Sequence, residues 1–197
     1  MDSTYSIIEK AVKGQGIKVE KADRNMVASA LKSEGINPDD YNFSLDKKDI
    51  MIDAYENGDT IYMYKGFGKS SALLHEYIHK WWKKNGNERY CAIVKKKFPN
   101  KWEEVCNSKE YSQILDNEME IAGEVLAKSL ENDLASFIDS NKNNLECLKG
   151  ADINGMAKFG KEDFCRCIAC SLFTKNGFSI KFRTFDAWLG DIGILMF

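Results

Sequence analysis

The sequence lacks long apolar runs. No stretch approaches the ~18 consecutive apolar residues that a membrane-spanning helix needs, and the apolar tail Ile192–Phe197 is far too short. The segment Met1–Tyr5 also lacks the basic stretch followed by an apolar stretch that marks a secretory signal. We therefore expect a cytoplasmic location and no membrane partner.

An excess of basic charge is also missing. The formal net charge is −2 and the sequence pI is about 5.8. A nucleic-acid-binding surface normally needs a clustered basic face. The short basic run Lys95–Lys97 is explained more simply as a solvated helix face. No nucleic-acid partner is predicted.

Histidine is scarce, and this scarcity is informative. The chain has only two histidines, and both lie in the pentapeptide His75-Glu76-Tyr77-Ile78-His79. Positions i and i+4 share one face of a helix, so both imidazoles can bind one metal ion. Glu76 can reach a water molecule beside that ion without ligating the metal. The pattern predicts one catalytic zinc ion with Glu76 as general base. The alternative, two partly buried histidines at this spacing by coincidence, is less favoured in a chain with no other histidine.

The six cysteines admit two interpretations. Because no secretory signal is predicted, we expect reduced thiols rather than a disulfide framework. Cys165, Cys167 and Cys170 lie close enough in sequence to hold a structural zinc ion together with Cys147. The irregular spacing to Cys147 favours the other interpretation, in which these are buried thiols on an apolar core helix.

Apolar periodicity predicts a mostly helical chain with one β-hairpin. Apolar and β-branched runs flank Glu56-Asn57-Gly58-Asp59, which is typical of a hairpin turn. A helix carrying both histidines is predicted from an N-cap at Ser70 to a stop at Gly86. The other predicted elements are helices at 3–13, 23–33, 90–98, 102–106, about 108 or 111 to about 135, and 164–173, and strands at 50–55, 60–64 and 178–183.

The fold class predicted from this pattern is α+β, with a small β-sheet or hairpin beside the helix that carries His75 and His79, which we call the metal helix. We expect a single domain over residues 1–197. Within it we distinguish an N-terminal helical region (1–46), a metal-site core (47–135) and a C-terminal region (136–197).

Catalytic zinc usually has three protein ligands, and no third histidine exists. The long helix offers Glu120 and Glu124, which share one face at i and i+4, while the small Gly123 allows close approach to the metal helix. We predict Glu120 as the third ligand. Glu124 is predicted to accept a hydrogen bond from the far nitrogen of a ligand histidine. The alternative is that both glutamates belong to a solvated helix face.

With these residues assigned, the chain resembles the gluzincin metallopeptidases. That family has His-Glu-x-x-His on one helix and a ligand glutamate on a later helix, followed four residues on by an acidic residue. The segment Asn117–Glu124 is similar to the corresponding helix of the anthrax-lethal-factor-like peptidases. The spacing of Glu120, Gly123, Leu126 and Leu130 is similar to that of the ImmA/IrrE-type intracellular peptidases of bacteria and mobile elements. The resemblance covers about residues 50–135 and implies a zincin-like fold.

The resemblance also implies hydrolysis of peptide bonds in a protein or peptide substrate. Zinc lowers the pKa of its water, and Glu76 takes the proton and passes it to the leaving amine. The lethal-factor type has a tyrosine seven residues before its ligand glutamate, and here that position is Gln113. Tyr111 is therefore the nearest candidate donor to the developing oxyanion, with Tyr62 and Tyr64 as further candidates.

Two alternative functions are compatible with the same residues. One is a catalytically silent zincin-like module that binds a partner protein, although the presence of Glu76 argues against it. The other is a regulatory peptidase with a single dedicated protein substrate, which a general digest would miss.

Overall fold

The computed structural model describes residues 3–33, 35, 37 and 53–141, together with Cys165, Ile168, Ala169, Ser171 and Leu172. The predicted strand at 178–183 and the apolar tail Ile192–Phe197 lie outside the described residues. In chain order the elements are α1 (Ser3–Gly14), β1 (Lys18–Lys21), α2 (Arg24–Ser33), β2 (Ala54–Asn57), β3 (Thr60–Met63), α3 (Ser70–Asn85), α4 (Glu88–Lys97), α5 (Pro99–Asn107), a 3-10 helix (Lys109–Ile114) and α6 (Glu118–Asn141).

The three strands form one small sheet in the order β1-β3-β2. β2 pairs with β3 as the predicted antiparallel hairpin, whereas β1 pairs with β3 in parallel. Asn57 pairs with Thr60, so the turn is Gly58–Asp59, and Gly58 has a φ of 54°. The prediction that Glu56 and Asn57 belong to the turn is therefore wrong, because both lie in β2. The sequence does not predict β1, since only four residues form it and its pairing with β3 defines it.

The two faces of the sheet pack against different elements. Ile61 and Met63 point into the main core with the apolar side chains of α3. Tyr62, between them in β3, points to the opposite face and packs with Val27 and Leu31 of α2. The face that carries Ile61 and Met63 is therefore the one that borders the metal helix.

The main core is built around α3 and α6, with α1 packed against them. Ile78 of α3 and Leu126, Leu130 and Leu134 of α6 are fully buried. The described residues near the C-terminus join this core: Leu172 is buried, and its carbonyl accepts a hydrogen bond from Gln15, just after α1. The core thus holds the metal helix against α6.

The helix ends differ in detail from the prediction. The N-cap of α3 is Lys69 rather than Ser70, whose hydroxyl is buried without a hydrogen-bond partner among the described residues. The predicted long helix is divided into the 3-10 helix and α6. Asn117 caps α6, because its side-chain oxygen accepts hydrogen bonds from the amides of Met119 and Glu120.

The α+β prediction holds in its coarse form: the described residues are mostly helical with one small sheet. Within the described ranges, no helix combines the length and apolar character needed to cross a membrane.

Candidate metal centre

Two antiparallel helices, α3 and α6, present the candidate site. His75 contacts Glu131, whereas His79, one turn later in α3, contacts Glu124, which is earlier in α6. The contacts therefore run in opposite directions along the two helices. Both histidines lie on one face of α3, as their i, i+4 spacing requires. That face meets α6.

His75, His79 and Glu124 form a group that can hold a metal ion. The Nε2 atoms of the two histidines are 3.1 Å apart. Glu124 Oε2 is 3.1 Å from Nε2 of His79, and Glu124 Oε1 is 3.7 Å from Nε2 of His75. Three potential ligand atoms from two helices thus surround one point.

The donor set fits a metal such as zinc. With ligand bonds of 2.0–2.1 Å, two ligand atoms of a tetrahedral zinc site lie about 3.4 Å apart. The observed separations of 3.1 to 3.7 Å bracket that value. In addition, Glu124 Oε1 is buried and has no hydrogen-bond partner within the part of the chain that the structure describes. A cation between these three side chains would satisfy that oxygen.

Glu131 holds the other nitrogen of His75. Its Oε2 atom lies 2.7 Å from His75 Nδ1, so the carboxylate favours the tautomer that has its proton on Nδ1 and a free lone pair on Nε2. Sequence reasoning missed this residue. The available signal was its spacing, because Glu131 follows Glu124 by seven residues and i, i+7 positions lie only about 20° apart around a helix.

The structure does not bring the predicted ligand Glu120 to the histidines. Glu120 is exposed in the first turn of α6, and its Oε1 accepts a hydrogen bond from the Asn117 amide at 2.9 Å. Glu124, one turn further into the helix, is only 7% exposed and occupies the position expected of Glu120. Glu131 in turn has the role expected of Glu124, that of accepting from the far nitrogen of a histidine. The structure thus groups Glu124, and not Glu120, with the two histidines.

Nearby charges shift the pKa values of His75 and Glu124 strongly. Burial alone would lower the pKa of His75, but the carboxylates of Glu124 and Glu131 outweigh it and raise that pKa to about 10. Burial would raise the pKa of Glu124, yet the two histidines hold it well below its ordinary range. When no metal is bound, these pKa shifts favour a buried ion pair between protonated His75 and the carboxylates, so a metal must displace the proton on Nε2 of His75 to bind.

The predicted general base, Glu76, lies half-buried beside this group. Burial raises its pKa above the ordinary value, and the charges of His75 and His79 only partly oppose that effect. Negative charge on Glu124 and Glu56 raises the pKa further. A carboxylate with a raised pKa is a stronger base, and so a better proton acceptor, than an ordinary glutamate.

Glu56 fixes the hairpin to the metal helix. Its side chain is 8% exposed, and its carboxylate contacts Lys80 Nζ at 2.9 Å and Lys83 Nζ at 2.8 Å, both in α3. Burial would raise the pKa of Glu56, but hydrogen bonds from the two lysines lower it. Lys80 also donates to the carbonyl of Gly58 in the turn. Strand β2 is thus held beside the segment of α3 that follows His79.

The candidate tyrosines lie in two different places. Tyr62 and Tyr64 pack with the small cluster around Val27, on the sheet face that does not border α3, so they do not face the histidines. Tyr111 packs against the main core, and the Lys128 ammonium lies 5.1 Å from the centre of its ring. Because Lys128 is one turn past Glu124 in α6, Tyr111 remains the predicted oxyanion donor of the three.

Of the C-terminal cysteine cluster, the structure describes only Cys165, which is buried and helical. This burial agrees with the interpretation of these cysteines as buried thiols on an apolar core helix. Cys147, Cys167 and Cys170 lie outside the described residues, so the alternative zinc site at these positions stays a prediction.

Comparison of the chain with protein-family models, curated proteins and solved structures gave no match.

Proposed function

We propose that this protein is a zinc-dependent metallopeptidase of gluzincin type, with His75, His79 and Glu124 as its ligands. The single observation that carries the proposal is the convergence of both histidine Nε2 atoms and the Glu124 carboxylate to within 3.1 to 3.7 Å. The neighbouring Glu76 supports catalysis rather than metal storage, because it supplies a base that a purely structural site does not need.

Each group of the chain has a definite task in this proposal. A bound zinc ion would supply Lewis acidity, polarising the substrate carbonyl and making a water molecule more acidic. Glu76 accepts the proton of the attacking water and delivers it to the leaving amine. Glu131 keeps His75 in the tautomer that leaves Nε2 free. Tyr111 is the candidate hydrogen-bond donor to the oxyanion.

The sheet supports a polypeptide as the substrate. Among the described residues β2 pairs with a strand on one side only, which is β3. Glu56 holds β2 beside the metal helix through Lys80 and Lys83. An extended peptide can add to such an edge by backbone hydrogen bonds and so pass close to the metal centre.

The decisive test of catalysis is Glu76→Gln. The amide cannot accept a proton as the carboxylate does, so we expect about one zinc ion per chain to be retained and cleavage to fall to background. Zinc content would be measured by mass spectrometry, and cleavage by digestion of a broad peptide library. Wild-type cleavage rates in this variant would contradict the proposed mechanism. A wild-type protein that binds zinc but cleaves nothing would instead favour the catalytically silent binding module or a single dedicated substrate.

A further inference from the structure

Glu124 reaches the histidines only at one register between α6 and α3. A shift of α6 by one residue along its axis would move the carboxylate by about 1.5 Å and rotate it by about 100°. The contact between Glu131 and His75 restrains this register on one side of the site. On the other side of His79 along α3 lies Trp82, one turn further on.

Trp82 joins the two helices in two ways. Its indole Nε1–H donates a hydrogen bond to the Met119 carbonyl at 2.8 Å. Its ring also packs directly on Gly123, where an added Cβ would lie 2.8 Å from Trp82 Cδ1. Trp82 is 5% exposed, so the indole fills the space between the helices. Gly123 is the residue immediately before Glu124.

These contacts act on the first turn of α6. α6 begins at Glu118, so Met119 lies in that turn, whose amides have no partners within the helix, and the Asn117 side chain accepts from two of them. Trp82 fixes the Met119 carbonyl by a hydrogen bond that comes from α3. The first turn of α6 is therefore tied to the metal helix at the point that precedes Glu124.

We propose that Trp82 and Gly123 are positioning residues of the metal centre. Their contact sets the register and the separation of α6 against α3, so that the Glu124 carboxylate meets His79. This inference rests on the proposed metal site, and it assigns the two residues a role in metal affinity beyond core packing.

The test uses Trp82→Phe and Gly123→Ala in the full chain, with Zn²⁺ affinity measured by competition with a chromophoric chelator. Trp82→Phe removes the indole N–H, and Gly123→Ala places a methyl group against the indole. We expect each to weaken zinc binding at least tenfold, in the range found when groups that orient metal ligands are changed. The visible absorption of the Co²⁺ form should also lose its tetrahedral intensity.

Two controls separate positioning from general destabilisation. Trp102→Phe makes the same chemical change at a half-buried tryptophan that lies beneath Lys95. Leu134→Ala removes a fully buried side chain of α6 that belongs to neither contact. Both should bind Zn²⁺ within about twofold of the wild type, even though Leu134→Ala lowers the melting temperature.

Wild-type affinity and an unchanged Co²⁺ spectrum in both Trp82→Phe and Gly123→Ala would overturn the inference and leave the proposed function intact. Equal losses of affinity in Leu134→Ala would also overturn it, because affinity would then follow stability alone. Should Gly123→Ala fail to fold, Trp82→Phe decides the matter. A wild-type chain that binds no metal would overturn both this inference and the proposed function.

Discussion

Each ring nitrogen of His75 has a carboxylate beside it. Nε2 faces Glu124 and Nδ1 contacts Glu131, so one imidazole connects two glutamates of the same helix. Glu124 lies on the side of the His75 ring that faces His79, whereas Glu131 lies on the opposite side of that ring. This difference in position separates a ligand from a residue that orients a ligand.

Glu131→Gln tests the orienting role. The amide keeps a hydrogen-bond acceptor but removes the negative charge, so His75 becomes a less basic ligand. We expect zinc affinity to fall by about tenfold, the lower end of the range for such changes. Glu120→Gln is the matched control on the same helix, and it should leave the affinity unchanged because Glu120 is exposed and bonds only to Asn117 among the contacts found for it. Equal affinities in the two variants would contradict the assignment.

The buried ion pair predicts a pH dependence for the metal-free protein. The pKa of His75 is raised to about 10 in the folded state, against about 6.5 in an unfolded chain. Its stabilising contribution is thus complete below about pH 6.5 and is lost as the pH rises toward 10. The pKa of Glu124 is lowered, so its contribution is present above about pH 4.5 and is lost as the pH falls. The raised pKa of Glu76 acts in the same direction as that of His75.

We therefore expect the melting temperature of the protein in EDTA to be highest near pH 5 to 6 and to decline on the alkaline side up to about pH 10. Thermal unfolding monitored by circular dichroism across this range would measure it. Glu131→Gln should shift the alkaline decline to lower pH, since one of the two carboxylates that hold the His75 proton is then neutral. A melting temperature that rises steadily from pH 6 to 9 would contradict the ion-pair description.

The hairpin and the metal helix are joined by charge as well as by packing. Glu56 of β2 is buried between Lys80 and Lys83, so its removal leaves Lys80, which is 16% exposed in its side chain, without this partner. A second ion pair nearby, Asp53 with Lys69, joins the same two regions but is largely exposed. The burial of the two pairs, rather than their number, determines what each contributes.

Glu56→Ala should therefore destabilise the protein by about 2 kcal/mol, a typical cost for losing hydrogen bonds to a buried charged group. Asp53→Ala should cost at most about 1 kcal/mol, as an exposed pair does. Urea unfolding curves for the two variants and the wild type would give both values. A larger loss for Asp53→Ala than for Glu56→Ala would show that the hairpin is not held in this way.

For the molecule as a whole, the sequence predicts element types better than the contacts between elements. The helix that carries His75 and His79 follows from spacing alone, because the i, i+4 rule is local. The choice of Glu124 over Glu120 does not follow from spacing, since both residues lie on one face of α6 and differ only in their position along the helix axis. That position depends on where α6 begins and on its contact with Trp82, which are facts of tertiary packing.

Strand β1 and Glu131 illustrate the same limit. Lys18–Lys21 is too short for a period-2 pattern to be distinctive, and pairing with β3 defines it as a strand. In the sequence Glu131 is one of several acidic residues on a long helix. Its role follows from the structure, in which its carboxylate lies 2.7 Å from His75 Nδ1. The close approach suggested by the small Gly123, in contrast, is present in the structure, because the residue has no side chain between α6 and Trp82.

The measurement that tests the central claim most directly is the zinc content of purified wild-type protein beside Glu124→Ala and Glu120→Ala. We predict about one zinc ion per chain in the wild type and in Glu120→Ala, and none in Glu124→Ala, because Glu124 is the one of these two glutamates that lies against both His75 and His79. Zinc that is lost from Glu120→Ala and kept in Glu124→Ala would contradict the geometry of the site. A wild-type protein that stays free of zinc after the ion is added would contradict the proposed function itself.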